Sequence, residues 1–597
     1  MLGLPSDGTA LLERLQDTSR AKSLSRCLEA IVDVAKLGGP HGPAIAYGLL
    51  RVCVPGKTLF YAQLSPPEEF SAVATWAEQE TVRTWVSIMA DGDSTDLADL
   101  DAFGAWRRRL LAQSVTQGGA GLISPVSSAP LAYVAGFAAF APDAARRLVA
   151  CTAWGGSASV PEELFGTNCY HYCAAPVSDA GTSTTSGALA LPLLPFHSSL
   201  RQLRNEISTA LSASEPLVTV WLDEGPELGA QRGLLKALRY AAAKAERVEL
   251  RKLVLAEDRA LGQQGLSVLQ FDAGVQLGSG MWQRALAGRW HNSLRAEEYT
   301  AACRRRFCLS FPGLRDRPRC PFPGCGERLD VYGRHIFACG GPHQQRRDQL
   351  AHDEVRDHLF GVCREAGLRP QLETRRLVPG SQARPADVML PAGHGLGGPQ
   401  EALRVACLDV SGVRSECDSH LQAGLTAPLR ERHREKAMRT FPPSPEVASA
   451  AERDGRAAAQ AALAGGASAA EADQASRAAV ARTIARRAPL LYLVPIVFST
   501  MGFFYDGDTS CGARATLSAL GAYFRRGESE RADGAGAVAV WSRWLPRLSA
   551  AVERGVWWRI NYTLQALNRQ AAPTRDEHMA LADLTTYASM RAFAPLT

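Results

Sequence analysis

The sequence predicts a multidomain protein with a mostly α N-terminal half, a small cysteine-and-histidine knuckle, and a C-terminal α/β domain that carries a helical insertion. Three observations lead there. The 597 residues exceed the roughly 250–300 at which a single core stops growing, so roughly two to four domains are expected. Apolar residues recur at three- and four-residue spacing near the N-terminus, the mark of amphipathic helices. In the second half, a compact Cys/His cluster precedes short apolar runs of β character, two of which carry a lone aspartate.

From Thr9 to about Val54 the helical spacing is carried by LLERL and CLEAIVDVAKL. Pro55 and Gly56 break that pattern, and Ser65, Pro66 and Pro67 open a further helix through FSAVATWAEQETVRTWVSIM. Gly118 to Leu122 is a glycine-rich turn; a lone GGAGL can cradle phosphate, but without a strand pattern before it a plain turn is the better reading. PLAYVAGFAAFAPDAARRLVA then reads as helical. Residues 152–199, rich in Ser, Thr, Gly and Pro, read as a long loop. Helical periodicity returns over Gln202–Ala213 and Gly233–Lys252, and Gly278 to Phe311 reads as a turn and a helix feeding the knuckle.

After the knuckle, Gln345 to Glu365 is a helix, followed by short strands at LVP near Leu377, ADVML, VACLDV and YLVPIVFS near Tyr492. Residues 442–488, dominated by Ala, Arg, Glu and Gln, form a helical insertion. The expected domains are therefore 1–150, helical; 151–300, a loop-rich and helical linker; 301–345, the knuckle and a basic region; and 346–597, the α/β domain.

Composition narrows the function classes. A hydrophobic fraction of 46% with 21% charged residues is that of a folded globular chain. The net charge of +6 is modest, but Ala301–Leu350 holds ten arginines against four acids, a stripe suited to a polyanion. Arg304, Arg305, Arg306, Arg334, Arg346 and Arg347 are the expected nucleic-acid contacts. Fourteen scattered cysteines are too sparse for a disulfide scaffold and point to a reducing compartment. The opening MLGLPSDG has no secretory signature, and the most apolar stretches, Ala129–Ala141 and Ala488–Tyr505, are short or interrupted by Pro495, so no membrane span is expected.

The cluster Cys320, Cys325, His335 and Cys339 lies in CPFPGCGERLDVYGRHIFAC. Thiolates and an imidazole suit tetrahedral zinc, with the first pair on a turn shaped by Pro321, Pro323, Gly324 and Gly326 and the second pair one helical turn apart. Four protein ligands close such a site, so the zinc is expected to be structural. Asp387 in RPADVML and Asp409 in RVACLDVSG are acids at strands, where burial is costly unless they are paired or bind a cation. Together they are expected to hold magnesium for phosphodiester cleavage, with Lys436 stabilising charge or orienting water. Glu354 and Glu373 are candidate accessory ligands.

In order, CPFPGC, GRHIFAC, AHDEVRD, RPADV, LDVSG and EKAMRTF resemble the C-terminal region of non-LTR retrotransposon polyproteins that carry a zinc knuckle and a restriction-like, PD-(D/E)XK-type endonuclease. The resemblance covers about Gly278 to Gly512. It implies a restriction-endonuclease-like fold for the C-terminal domain, nicking of target DNA, a nuclear location, and DNA with the element's RNA as partners. It also implies that His352 and Asp353 belong to an Arg-His-Asp signature in which Ala351 replaces the arginine. The usual lysine two residues after the second acid is Ser411 here, and Lys436 looks like its migrated equivalent. Upstream, Leu49-Leu50-Arg51, Pro55-Gly56-Lys57 and GGAGLISPVSSAPLAYVA are similar to the thumb-like segment after a reverse transcriptase palm, but no aromatic-x-Asp-Asp motif occurs, so no polymerase activity is expected. The chain thus looks like a truncated product of such an element. Two other readings stay open: a catalytically inactive zinc-knuckle protein that binds DNA or RNA, and a decayed retroelement remnant.

Overall fold

The computed structural model describes residues 8–18, 23–63, 67–89, 104–129, 132, 231–260, 266–285, 293–314, 316, 318–339, 344–373, 386–391, 405–415, 423–437, 445–487, 491–506, 512–527 and 540–571. These residues are mostly helical, with one small five-stranded mixed sheet. They belong to two compact units, Met1–Thr300 and Ala301–Thr597. The predicted helix over 130–150, apart from Ala132, the predicted helix over 202–213, the predicted loop over 152–199 and the predicted strand near Leu377 lie outside the described residues.

The N-terminal unit is built from α1 (Gly8–Gln16), α2 (Leu24–Leu37), α3 (Gly42–Ala62), α4 (Pro67–Met89), α5 (Ala105–Ala112), α6 (Gln231–Ala260) and α7 (Leu266–Ala273). Ser23 caps α2 by accepting the Arg26 N–H, satisfying one of the free donors of the first turn. The predicted break at Pro55 is corrected: α3 runs through it to Ala62. The buried stripe Tyr47, Leu50, Val54, Thr58 and Ala62 keeps its period across the proline. Each buried Leu- or Val-sized side chain contributes about 1.5–3 kcal/mol, enough in sum to offset the roughly 3 kcal/mol that an interior proline costs. Gly118 and Gly121 take positive φ (92° and 68°), so the glycine-rich turn forms where it is expected.

Helix α8 (Ala296–Arg306) begins before the C-terminal unit and leads into the knuckle, whose short helix α9 spans Arg334–Ala338. Then follow α10 (Gln344–Glu365), β1 (Gln371–Leu372), β2 (Val388–Leu390), β3 (Val405–Val413) and α11 (Ala427–Ala437). The predicted insertion is a hairpin of α12 (Pro445–Ala464) and α13 (Ala469–Arg487), turned at Gly466 (φ 85°) and tied by the Thr483 hydroxyl donating to Asp454. The chain returns through β4 (Leu491–Ser499), β5 (Phe503–Phe504), α14 (Ala513–Gly527) and α15 (Leu545–Ala571).

The strands lie in the order β1-β2-β3-β4-β5, antiparallel except for the parallel pair β3–β4. β3 is the long central strand and is buried along almost its whole length, which explains its run of Val, Ala, Cys and Leu. Proline is tolerated at position 495 of β4 because β5 pairs only with Phe498 and Ser499, and no other described strand pairs with that edge. Helix α10 buries Ala351, Val355, Leu359 and Val362 at helical spacing and packs along α15. A Cβ on Gly555 would lie 2.7 Å from the Ala351 Cβ, so the two helices touch backbone to backbone there. An arginine at position 351 has no room.

Candidate functional site

The knuckle is assembled from backbone hydrogen bonds before any metal is considered. Arg319 and Arg328 form an isolated antiparallel bridge, the Cys320 N–H donates to Glu327 O, and the Cys325 N–H donates to Phe322 O across a turn in which Gly324 and Gly326 take positive φ. Asp330 then accepts the backbone N–H groups of Tyr332, Arg334 and His335 at 2.9–3.0 Å, which orients α9 and aims His335 inward. Nothing in the ligand spacing singles out Asp330; its position four residues before the start of α9 at Arg334 is the signal that points to it. Cys339, just after α9, closes the group through its own N–H to His335 O at 2.7 Å.

All four donor atoms of Cys320, Cys325, His335 and Cys339 lie within 4.8 Å of one another, an arrangement that can hold zinc. Two thiolates each about 2.3 Å from a tetrahedral zinc stand about 3.8 Å apart. The Cys320 and Cys339 sulfurs are 3.8 Å apart, and Cys325 Sγ is 3.1 Å from His335 Nε2. With no cation present, burial pushes the Cys320 thiol up to about 12, and the neighbouring Cys339 adds to it, so metal binding must expel a proton. The knuckle is packed on the body of its unit: Phe322 stacks on Tyr562 of α15 at 5.7 Å, and Phe337 joins Val556 and Ile560 in one core.

The expectation that Arg304, Arg305 and Arg306 grip phosphate is corrected. All three are buried. Arg304 donates to Ser310 O at 2.6 Å, while Arg305 lies over the Phe337 ring, pairs with Glu553 at 3.2 Å and donates to Thr500 O. Charge counting could not tell a basic surface from guanidiniums used as internal ties. Arg334 is half-buried on α9. Arg346 and Arg347 fall in the first turn of α10, and their side chains lie outside the described residues.

Asp387 and Asp409 meet on the sheet. Asp387 lies at the bend just before β2, whose Val388 pairs with Leu408, and its N–H donates to Leu408 O at 3.0 Å, next to Asp409 in the β3 chain. Just past the β1–β2 pairing of Leu372 with Val388, the Glu373 N–H donates to Asp387 O at 3.0 Å. Asp387 Oδ2 accepts the Val410 N–H at 2.7 Å and contacts His352 Nε2 at 3.1 Å; its Oδ1 takes no hydrogen bond from the described residues. Burial opposes the Asp387 charge, but His352, the Val410 N–H and Lys436 outweigh it and hold the carboxyl below the ordinary carboxylate range.

Lys436 reaches the same row from α11. Its Nζ is 2.9 Å from Asp409 Oδ2 and 3.0 Å from Oδ1, and both side chains are largely buried. One helical turn earlier Arg432 donates to the Ser411 hydroxyl at 2.9 Å. Asp409 and Ser411 are two residues apart on β3 and therefore face the same side, the side along which α11 lies. Lys436 and Arg432 thus bring two cations from α11 to the Asp409–Ser411 face of β3. On α10, His352 bridges Asp387 and Asp353, each at 3.1 Å. Burial works against the imidazolium, but these two carboxylates prevail and push His352 up to about 9.

Glu354 does not join that group, and the expectation of an accessory ligand there is corrected. It pairs with Arg554 of α15, whose side chain is 0% exposed, and with His358 at 3.1 Å. Burial penalises its charge, yet Arg554 and His358 hold it far below the ordinary carboxylate range. Glu373 sits at the end of β1 with φ 43° and is ion-paired to Arg356. No protein-family model matches this sequence, and no curated protein matches it either.

Proposed function

We propose that residues 301–597 form a restriction-like, metal-dependent DNA endonuclease module of retrotransposon origin, nuclear in location, that nicks target DNA. The observation that carries this reading is the Lys436 amine 2.9 Å from Asp409 on β3, with Asp387 held to the same strand by the Val410 N–H at 2.7 Å. A buried carboxylate and a half-buried one beside it are costly unless cations are held there. Hard carboxylate oxygens suit magnesium, and Asp387 Oδ1, which takes no hydrogen bond from the described residues, is a ligand atom available to it. When bound, magnesium lowers the pKa of water and steadies charge on a phosphoryl oxygen.

The chain's own groups supply the rest. Lys436 keeps a positive charge beside the acids, placed to hold a scissile phosphate oxygen or to orient the attacking water. His352, protonated between Asp353 and Asp387, adds a second cation and can deliver a proton to the leaving oxygen. The Cys3His knuckle carries a structural zinc that fixes the segment before α10. DNA is the partner, with the element's RNA as a second ligand.

Purified full chain incubated with supercoiled plasmid and magnesium tests this. The wild type is expected to yield nicked circles, and Asp387→Asn to abolish nicking while DNA binding stays near wild type. Equal nicking by Asp387→Asn overturns the site. DNA binding without any magnesium-dependent cleavage by the wild type favours instead the inactive zinc-knuckle binder.

A further inference from the structure

The N-terminal unit holds two guanidiniums that form no ion pair with the described acids. Arg51 on α3 is half-buried, with its guanidinium 5.6 Å from the Tyr47 ring. Its Nε is fully buried without a hydrogen-bond partner among the described residues. Arg284, at the end of the 3-10 turn Met281–Arg284, is also half-buried and forms no ion pair with the described residues. Burial, reinforced by the charge of Arg51, pulls Arg284 below the usual guanidinium range. Next to them Gln283 is 5% exposed; its Oε1 lies 2.6 Å from the Tyr47 hydroxyl, and its Nε2 is buried with no partner.

The glycine-rich turn completes this place. Two of its glycines are explained by packing alone: a Cβ at Gly119 would meet Gln113 O at 2.1 Å, and one at Gly118 would meet the Arg247 guanidinium at 2.9 Å. Gly121 is different. Its φ is 68°, and the Arg51 guanidinium lies 3.3–3.5 Å from where its Cβ would stand, so the missing side chain makes room for that cation. The Tyr47 hydroxyl donates to Ala120 O, locking the turn against α3 beside Arg51. Glu78 of α4 is engaged just past the turn, where it accepts from the Ser124 hydroxyl. Adjacent half-buried guanidiniums without a counter-charge destabilise a fold, and charges so placed are ordinarily paired.

We propose that Arg51, Arg284 and Gln283, set against the Gly118–Leu122 turn, form a binding site for a phosphate group. Arginine forks match phosphate oxygens in pairs, and the amide N–H adds a neutral donor. A phosphate group fits better than a carboxylate side chain because it offers oxygens enough for two guanidiniums and an amide at once. This site lies wholly within Met1–Thr300 and is independent of the endonuclease reading.

Hydrogen exchange of the full chain, read on peptides covering 113–122 and 278–285, tests it with two probes: inorganic phosphate and a single-stranded oligonucleotide. Protection by the oligonucleotide at lower concentration than by phosphate identifies a nucleic-acid backbone as the source; protection by phosphate alone identifies a small phosphorylated ligand. Either protection is to vanish in Arg51→Gln/Arg284→Gln. For the oligonucleotide, the double variant should also bind about 10-fold or more weakly and lower the slope of log K against log salt by about 1–2, whereas binding elsewhere in the chain leaves both untouched. Relief of like-charge repulsion leaves the variant's Tm unchanged or raised. A fall in Tm with unaltered protection would show the arginines to be structural, and no protection by either probe would equally overturn the site. Arg51→Lys, which keeps the charge but not the fork, should bind at an intermediate level.

Discussion

Replacing Arg554 with Met isolates the ion pair that anchors α15 to α10. The Arg554 side chain is 0% exposed and Glu354 is 13% exposed, so the substitution leaves a largely buried carboxylate with, among the described residues, His358 at 3.1 Å to share its charge. Removing one partner of a buried pair costs about 3–5 kcal/mol. At about 2–4 °C of Tm per kcal/mol for a unit of this size, the C-terminal transition should fall by about 6–20 °C. The double change Glu354→Leu/Arg554→Met removes both charges and should recover most of that loss, since apolar replacements of a buried pair are often neutral or better. Urea unfolding at neutral pH, followed by tryptophan fluorescence, measures all corners of the cycle. A cost under about 1 kcal/mol for Arg554→Met refutes the anchor. Loss of nicking in Glu354→Gln with an unchanged Tm would return Glu354 to the metal site.

Three further outcomes follow from the same geometry. Cys339→Ser should lower bound zinc from about one per chain to near zero, measured with a chromophoric chelator, and should make the knuckle protease-sensitive because Cys339 belongs to the core shared with Val556 and Ile560. Lys436→Gln should slow single-turnover nicking by about 10²–10³ with DNA binding retained; a rate within about 2-fold of wild type would remove Lys436 from the chemistry. His358 accepts the Arg547 Nε–H at 2.8 Å on Nδ1 and faces Glu354 and Arg554 on Nε2. Burial, together with the two arginines, depresses it to about 4 despite Glu354. Its folded pKa is therefore below the unfolded one, so its contribution is intact above about pH 6.5 and is lost as pH falls toward 4. Unfolding curves of His358→Leu should lack that part of the acid dependence, and an unchanged pH profile would refute it.

Much of the local structure was legible in residue order, because short-range rules govern it. The period of apolar residues announced α2, α4 and α10, the alanine-rich run announced helix over 442–488 but not its division into the α12–α13 hairpin, and the Cys/His spacing announced a cluster that can hold zinc. Pro55 shows the limit of such rules: the proline signal is local, but the buried stripe from Tyr47 to Ala62 that overrides it is tertiary. Ala351 is legible only in the fold, where Gly555 presses against it.

The linear order of residues already contained the two strand aspartates, the lysine-bearing helix and the four sulfur and imidazole donors, since identity and spacing suffice to name them. Three-dimensional packing alone decided which charges meet. The β2–β3 contact ties Asp387 to the Val410 N–H and α11 turns Lys436 onto Asp409, while the α10–α15 contact withdraws Glu354 to Arg554 and the body of the unit absorbs Arg304, Arg305 and Arg306. The physical reason is that a charge's role depends on its desolvation and its nearest opposite charge, and both are set by residues tens to hundreds of positions away along the chain.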